Sequence, residues 1–114
     1  MKTLNRFAVQ RILRTTRDFF GLSLSGLDLA GLDFSGANLR EADLSGANLA
    51  GVRLSGADLS GAILTCTNLS MALLDNVNLE DTLMDDTRLL GAYFGDYVFD
   101  VVVKAPKPAY AMSA

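Results

Sequence analysis

An apolar residue recurs at every fifth position through most of this 114-residue chain. We call these residues the anchors: Leu24, Leu29, Phe34, Leu39, Leu44, Leu49, Leu54, Leu59, Leu64, Leu69, Leu74, Leu79, Met84, Leu89, Phe94 and Phe99. An α-helix repeats every 3.6 residues and a strand every two, so neither explains the period. A chain that turns a corner once per pentad, and keeps presenting the same position to an inner axis, does explain it.

The positions around the anchors repeat as well. A small or apolar residue precedes most anchors by two positions, as Ala42 and Ala47 do, and Asp or Asn often stands directly before the anchor. Glycine favours tight turning, so we expect corners at Gly26, Gly31, Gly36, Gly46, Gly51, Gly56 and Gly61. The anchors should then fill the axis, while the small residues let the walls come close.

The segment GANLREADLSGANLAGVRLSGADLSGA, residues 36–62, resembles the pentapeptide-repeat family, whose loose consensus is A(D/N)LXX. The resemblance covers residues 21–100. It implies an all-β fold, a right-handed quadrilateral β-helix in which four pentapeptides make one coil, with about four coils in this solenoid. Residues twenty apart would then lie above one another.

A basic segment precedes the repeats. Residues 1–20 carry five cations and one carboxylate, whereas residues 21–114 carry five cations and twelve carboxylates. The hydropathy pattern predicts an amphipathic helix over 3–20, with Arg6, Arg11, Arg14 and Arg17 on its polar side. Three roles stay open for this helix: a cap over the first coil, a membrane-surface anchor, or a targeting segment.

The sequence at the other end of the chain also predicts a contact with a partner. Tyr97 and Phe99 are bulky enough to plug the last coil, and the extended tail over 101–114 contains two prolines. An apolar strand beside an open end of a β-solenoid requires a partner. That partner is a second copy, giving a homodimer through the C-terminal end, a different protein, or the body of the same chain.

The composition argues against catalysis. The chain has no His and a single cysteine, Cys66. Without His, neither a Ser/His nor a Cys/His nucleophile can form, and a His-bearing zinc site is excluded. We therefore predict no enzyme, no cofactor and no metal site.

Apolar residues at outward positions indicate a partner surface in the last two coils. Ile63 and Leu83 would stack in one column, and Leu73 and Tyr93 in another. Carboxylates gather in the same part of the chain, and we include two of them with the two aromatic residues of the end. The predicted surface is Ile63, Leu73, Leu83, Asp85, Asp86, Tyr93, Tyr97 and Phe99.

These features predict a non-enzymatic protein–protein interaction module, a small rigid scaffold or a subunit or assembly factor of a larger complex. We expect a cytoplasmic protein, or one peripheral to a membrane complex, in a bacterial or cyanobacterial setting. The resemblance also implies an alternative, because some family members imitate DNA and modulate type II topoisomerases such as gyrase. The acidic body suits that alternative, whereas the short repeat region and the basic helix do not. Direct nucleic-acid binding is not expected.

Overall fold

A computed structural model describes residues 4–95 of the chain. The predictions for Tyr97, Phe99 and the tail over 101–114 lie outside the described residues. Within them, the first element is a short helix, α1 (Arg6–Leu13), and the rest is a stack of coils joined by parallel β-bridges. No described segment of the coils forms a strand longer than one bridged residue.

The coils repeat every twenty residues, as the resemblance implies. Twelve parallel bridges join residues twenty positions apart and form four ladders, which are Asp18–Asn38–Asp58–Asn78, Ser23–Asp43–Ile63–Leu83, Asp28–Asn48–Asn68–Arg88 and Asp33–Arg53–Leu73–Tyr93. Each ladder marks one side of the coil, and the sides follow one another in this order along the chain. The right-handed sense of the coil stays a prediction.

Backbone hydrogen bonds hold successive coils together. The N–H of Leu24 donates to the carbonyl of Asp43 at 2.7 Å, and the N–H of Asp43 donates to the carbonyl of Leu22 at 2.9 Å. Within a coil, the N–H two positions before an anchor donates to the preceding anchor's carbonyl, as from Ala37 to Phe34 at 2.9 Å. These bonds satisfy the backbone polar groups that the corners and sides would otherwise bury unpaired.

The anchors form the core, as the period of five predicts. From Leu24 to Met84 every anchor is buried, and the small inner residues between them are buried too. Thr67 and Thr87 occupy the inner position in place of Ala, and their hydroxyls donate to the carbonyls of Leu44 and Leu64, each at 2.7 Å. Thr82 is buried as well, and its hydroxyl donates to the carbonyl of Leu79 at 3.0 Å. The core therefore accepts three polar side chains because each has a hydrogen-bond partner.

Helix α1 is shorter than the predicted 3–20. It begins after Asn5, whose side chain accepts from the N–H of Ala8 at 2.8 Å, and it ends at Leu13. Phe19 is fully buried, and Asp18 pairs with Asn38. Because Phe19 stands five positions before Leu24, it follows the period of the anchors, and the solenoid begins before residue 21.

The hydrophobic face of α1 packs against the core. Val9 is fully buried, and Leu4, Ile12 and Leu13 are partly buried against the same cluster. These contacts favour the predicted cap. They also occupy the side that a membrane-surface helix inserts into lipid, so this side is not available for the membrane contact that the sequence predicts as an alternative.

Candidate interaction surface

The Asp and Asn residues directly before the anchors have a structural role that sequence reasoning missed. Their side-chain oxygens accept a hydrogen bond from the backbone N–H two residues later, as Asp43 does from Ser45 at 3.0 Å and Asn48 from Ala50 at 3.1 Å. The same bond recurs at Asp18, Asp28, Asp33, Asn38, Asp58, Asn68 and Asn78. The signal that could have revealed it was the recurrence of Asp and Asn at this position.

Four of these outward positions carry apolar residues that cannot accept this bond: Ile63, Leu73, Leu83 and Tyr93. Ile63 is half-buried, whereas the exposed fractions are 37% for Leu73, 52% for Leu83 and 52% for Tyr93. These positions give up a local hydrogen bond and also expose apolar surface to water. Neither change stabilises the coil by itself, so a contact with another molecule is a better explanation of these residues.

The structure does not bring the predicted residues together in one surface. Ile63 pairs with Leu83, and Leu73 pairs with Tyr93, so each predicted column exists. However, the two columns stand two ladders apart, with the Asn68–Arg88 ladder between them. With four ladders per coil, the columns lie on opposite sides, and the predicted surface divides into two.

One of the two sides is much richer in exposed apolar residues. Met71 and Leu90 occupy the corner before Leu73 and Tyr93, and their side chains are 66% and 84% exposed. The N–H of Met71 donates to the carbonyl of Leu90 at 2.9 Å, so the two residues belong to adjacent coils. We call Met71, Leu73, Leu90 and Tyr93 the apolar side. It contains four of the seven exposed large hydrophobic residues in residues 4–95.

The predicted carboxylates lie at a different corner, between the Leu83 side and the Arg88 side. Asp85 and Asp86 are both exposed, and Asp86 contributes to a shallow groove with Cys66, Asn68 and Arg88. The only ion pair of the described residues joins Arg17 and Asp33, with 4.0 Å between Nη2 and Oδ1. Asp85 and Asp86 therefore stay available to a partner.

The four arginines of the predicted helix surface also separate into two pairs. The guanidinium of Arg6 donates to the carbonyls of Asp28 and Ala30 at 3.0 and 3.2 Å, and that of Arg17 donates to those of Asp33 and Ser35 at 3.0 and 2.8 Å. Arg17 lies beyond the end of α1 and has a φ of 55°. Arg6, Arg11 and Arg14 are exposed and Arg17 is partly buried, but only Arg11 and Arg14 make no such contact with the first coil.

The groups around Asp33 in the first coil favour the ionised form of its carboxyl group. Hydrogen bonds from the side chain and the backbone of Ser35 hold the pKa of Asp33 below its usual value, and the positive charges of Arg17 and Arg53 act in the same direction. Asp33 thus stays ionised next to Arg17, which favours the contact between the two residues.

Residues 4–95 offer little else that binds or reacts. No three side chains among the Cys, Asp and Glu of this range converge in a way that could hold a metal ion. Nor does any helix in this range have the length and hydropathy of a membrane span. The apolar side is therefore the most distinctive surface of the described structure.

The pattern of the coils also matches a known family model. Pentapeptide repeats, in eight copies, match residues 18–56, 42–81 and 62–95. The chain belongs to the pentapeptide repeat family. The first match begins at residue 18, which agrees with the buried Phe19 and with a solenoid that begins earlier than residue 21.

Solved structures of pentapeptide repeat proteins are similar to this chain. One from Nostoc PCC 7120 is 34% identical, with a TM-score of 0.72, over 81% of this chain and 78% of that chain. One from the thylakoid lumen of Arabidopsis thaliana is 30% identical, with a TM-score of 0.56, over 66% of this chain and 59% of that one.

A third, from the cyanobacterium Cyanothece 51142, is 30% identical, with a TM-score of 0.53, over 69% of this chain and 57% of that one. The chain thus spans less than two thirds of the length of the Arabidopsis and Cyanothece proteins. A comparison with curated proteins gave no match. These similarities support a repeat β-helix.

Proposed function

We propose that this pentapeptide repeat protein is a non-enzymatic interaction module whose protein partner binds the apolar side. The observation that carries the proposal is the replacement of the usual Asp or Asn by Leu73 and Tyr93, next to the exposed Met71 and Leu90. Contiguous exposed apolar surface is unfavourable in water and marks contact sites on soluble proteins. Scattered apolar residues would not support the same proposal.

The chemistry of the apolar side indicates what kind of partner fits. Leu73 and Tyr93 are the two last residues of one ladder, and Arg53 precedes them on the same side as an exposed cation. A partner with an apolar segment flanked by an acidic group would cover the apolar side and pair with Arg53. Such a surface, with an apolar centre and a polar rim, is typical of protein–protein interfaces.

A catalytic role finds no support in the residues present. The chain lacks His, and Cys66 is its only thiol. The rigid coils, each held to the next by backbone hydrogen bonds, suit a scaffold that presents a fixed surface. We therefore infer that the protein acts as a scaffold, subunit or assembly factor of a larger complex.

Replacing the apolar residues by Asn tests this proposal without removing core residues. A double variant, Leu73→Asn with Tyr93→Asn, restores the side chain that other pentads use at this position. We expect affinity purification from the native source to recover a defined partner with the wild-type chain, and at least about tenfold less of it with the double variant.

The opposite side of the coil provides a matched control. The double variant Ile63→Asn with Leu83→Asn makes the same chemical change two ladders away, and it should recover the partner as the wild-type chain does. Recovery of no defined partner by the wild-type chain would refute the interaction function. Loss of the partner with the control variant alone would refute the choice of side.

A further inference from the structure

The two most exposed large hydrophobic residues of the described structure lie at opposite ends. Phe7 is 80% exposed and lies on α1, which packs against the first coil through Val9 and Arg6. Leu90 is 84% exposed and lies in the last described coil. A single exposed residue at either end would need no explanation. Their charged neighbours distinguish them.

The neighbours of Phe7 are positive. Phe7 and Arg11 lie four positions apart on α1, and Arg14 follows three positions later as its C-cap with a helical backbone, so the three lie on one stripe, away from the buried Val9. Both arginines are exposed, and neither forms an ion pair within residues 4–95. The N-terminal end of the solenoid therefore presents an aromatic ring next to two cations without an ion-pair partner among residues 4–95.

The neighbours of Leu90 are negative. Asp85 and Asp86 occupy the preceding corner of the same coil, where both are exposed and neither is ion-paired in the part of the chain that the structure describes. Arg88, which lies between the two corners, is the one cation of this stretch. The last described coil thus presents an apolar residue beside two carboxylates that have no ion-pair partner among residues 4–95.

We propose that copies of this chain associate head to tail, with α1 of one copy against the last described coil of the next. Phe7 would contact Leu90, while Arg11 and Arg14 face Asp85 and Asp86 of the neighbouring copy. The spacing is compatible: Phe7 and Arg14 are about 10.5 Å apart along the helix axis, and Asp86 and Leu90 at most about 13 Å apart along the chain.

This contact uses different surfaces on its two partners, so each added copy leaves one free surface of each kind. Such a heterologous contact gives linear assemblies that grow with concentration. The proposal goes beyond the proposed function because it involves the two ends of the solenoid. Leu90 is shared with the apolar side, whereas Leu73 and Tyr93 stay open to a different protein.

Sedimentation velocity of the full chain over a concentration series tests the proposal. We expect the wild-type chain to shift from monomer to larger species as its concentration rises. The shift should weaken at high salt, because the pairs are exposed and screened. Arg88→Gln removes a cation that repels Arg11 and Arg14, so this variant should assemble at lower concentration than the wild-type chain.

Charge reversal at either end makes the test specific. Arg11→Glu with Arg14→Glu, and separately Asp85→Lys with Asp86→Lys, should each weaken assembly by about tenfold or more. An equimolar mixture of the two reversed variants should assemble again, because each reversed end then meets an end of opposite charge. Glu41→Lys, which reverses an exposed charge in a middle coil, should assemble as the wild-type chain does.

Circular dichroism and the melting temperature of each variant establish that the variants are folded. A wild-type chain that stays monomeric over the whole concentration series would overturn the proposal. So would reversed variants that assemble alone, or a mixture that does not assemble. The charge-reversed variants leave all four residues of the apolar side unchanged, so these results do not decide whether a partner binds there, and the two proposals fail separately.

Discussion

At the scale of single residues, the corner of each pentad selects a left-handed backbone. Glycine occupies this corner in most early pentads, with φ between 67° and 77° from Gly21 to Gly61. The next five corners carry other residues with φ near 60°, namely Cys66, Met71, Asn76, Asp81 and Asp86. Side chains at such φ values are unfavourable by about 1–2 kcal/mol. The later coils therefore display side chains at their corners despite this strain.

Two substitutions at corners test this reading of the backbone. Cys66→Gly should raise the free energy of unfolding by about 0.5–1 kcal/mol, because relief of the strained φ exceeds the entropy that glycine loses on folding. Gly56→Ala should lower it by a similar amount, even though a Cβ atom there has nothing within 4 Å. Chemical denaturation measures both changes.

A control for the corner variants is Ser60→Ala, which changes an outward residue whose φ is not positive. Its free energy of unfolding should stay close to that of the wild-type chain. If Gly56→Ala were neutral, or Cys66→Gly destabilising, the conformation of the corners would not be the source of the glycine pattern.

The anchors could be predicted residue by residue, because the period of five depends only on which side chains are apolar. The hydrogen bonds of Asp and Asn were not predicted, although the recurrence of these residues was visible. Composition alone does not distinguish a side chain that accepts from its own corner, as Asn48 does, from one that is merely solvated. The buried hydroxyls of Thr67 and Thr87 escaped prediction because their acceptors lie in the coil below.

Among the elements, α1 and the segment after it contact the first coil, which forms one edge of the solenoid. A coil at the end of a β-solenoid has backbone groups with no next coil to pair with, and such edges promote aggregation. Arg6 and Arg17 each place one guanidinium across two carbonyls of this edge. The planar group of arginine suits this paired contact better than the ammonium of lysine.

Removing these guanidinium groups should destabilise the N-terminal end. We expect Arg6→Ala and Arg17→Ala each to lower the free energy of unfolding by about 1 kcal/mol, because two carbonyls lose a charged donor and water replaces it only in part. Arg6→Lys should recover a fraction of this loss. Thermal and chemical denaturation, read by circular dichroism, measure the change.

The matched control for the edge is Arg14→Ala. Arg14 is exposed, and its guanidinium makes none of the hydrogen bonds seen for Arg6 and Arg17. Equal stability losses in all three alanine variants would contradict a specific role of Arg6 and Arg17 at the edge.

The existence of α1 could be predicted, but its end could not. The apolar residues Phe19 and Phe20 extend the helical pattern up to residue 20, although Phe19 also follows the period of the anchors. The burial of Phe19 against Phe34, with 5.4 Å between ring centroids, decides between the two patterns. Nor could the sequence predict which arginines contact the coil, since that depends on how α1 lies across it.

At the scale of the whole molecule, the surfaces of the solenoid differ in chemistry. The apolar side and the Leu83 side lie on opposite faces, and charges of opposite sign stand at the two ends. The sequence predicts each column correctly but does not separate them, because Leu73 and Leu83 differ by half of a twenty-residue coil. This difference between the faces supports the proposal that the protein contacts a partner through one side.

We propose that Leu73 and Tyr93 are exposed for a partner and are not required by the fold. The free energy of unfolding of the Leu73→Asn, Tyr93→Asn double variant tests this proposal. Each Asn oxygen should accept a hydrogen bond from the backbone N–H two residues later, as Asn68 does from Ser70 at 3.0 Å. We predict a variant at least as stable as the wild-type chain, with a gain of up to about 1 kcal/mol. A loss of about 2 kcal/mol or more, the size expected for core truncation, would contradict the claim.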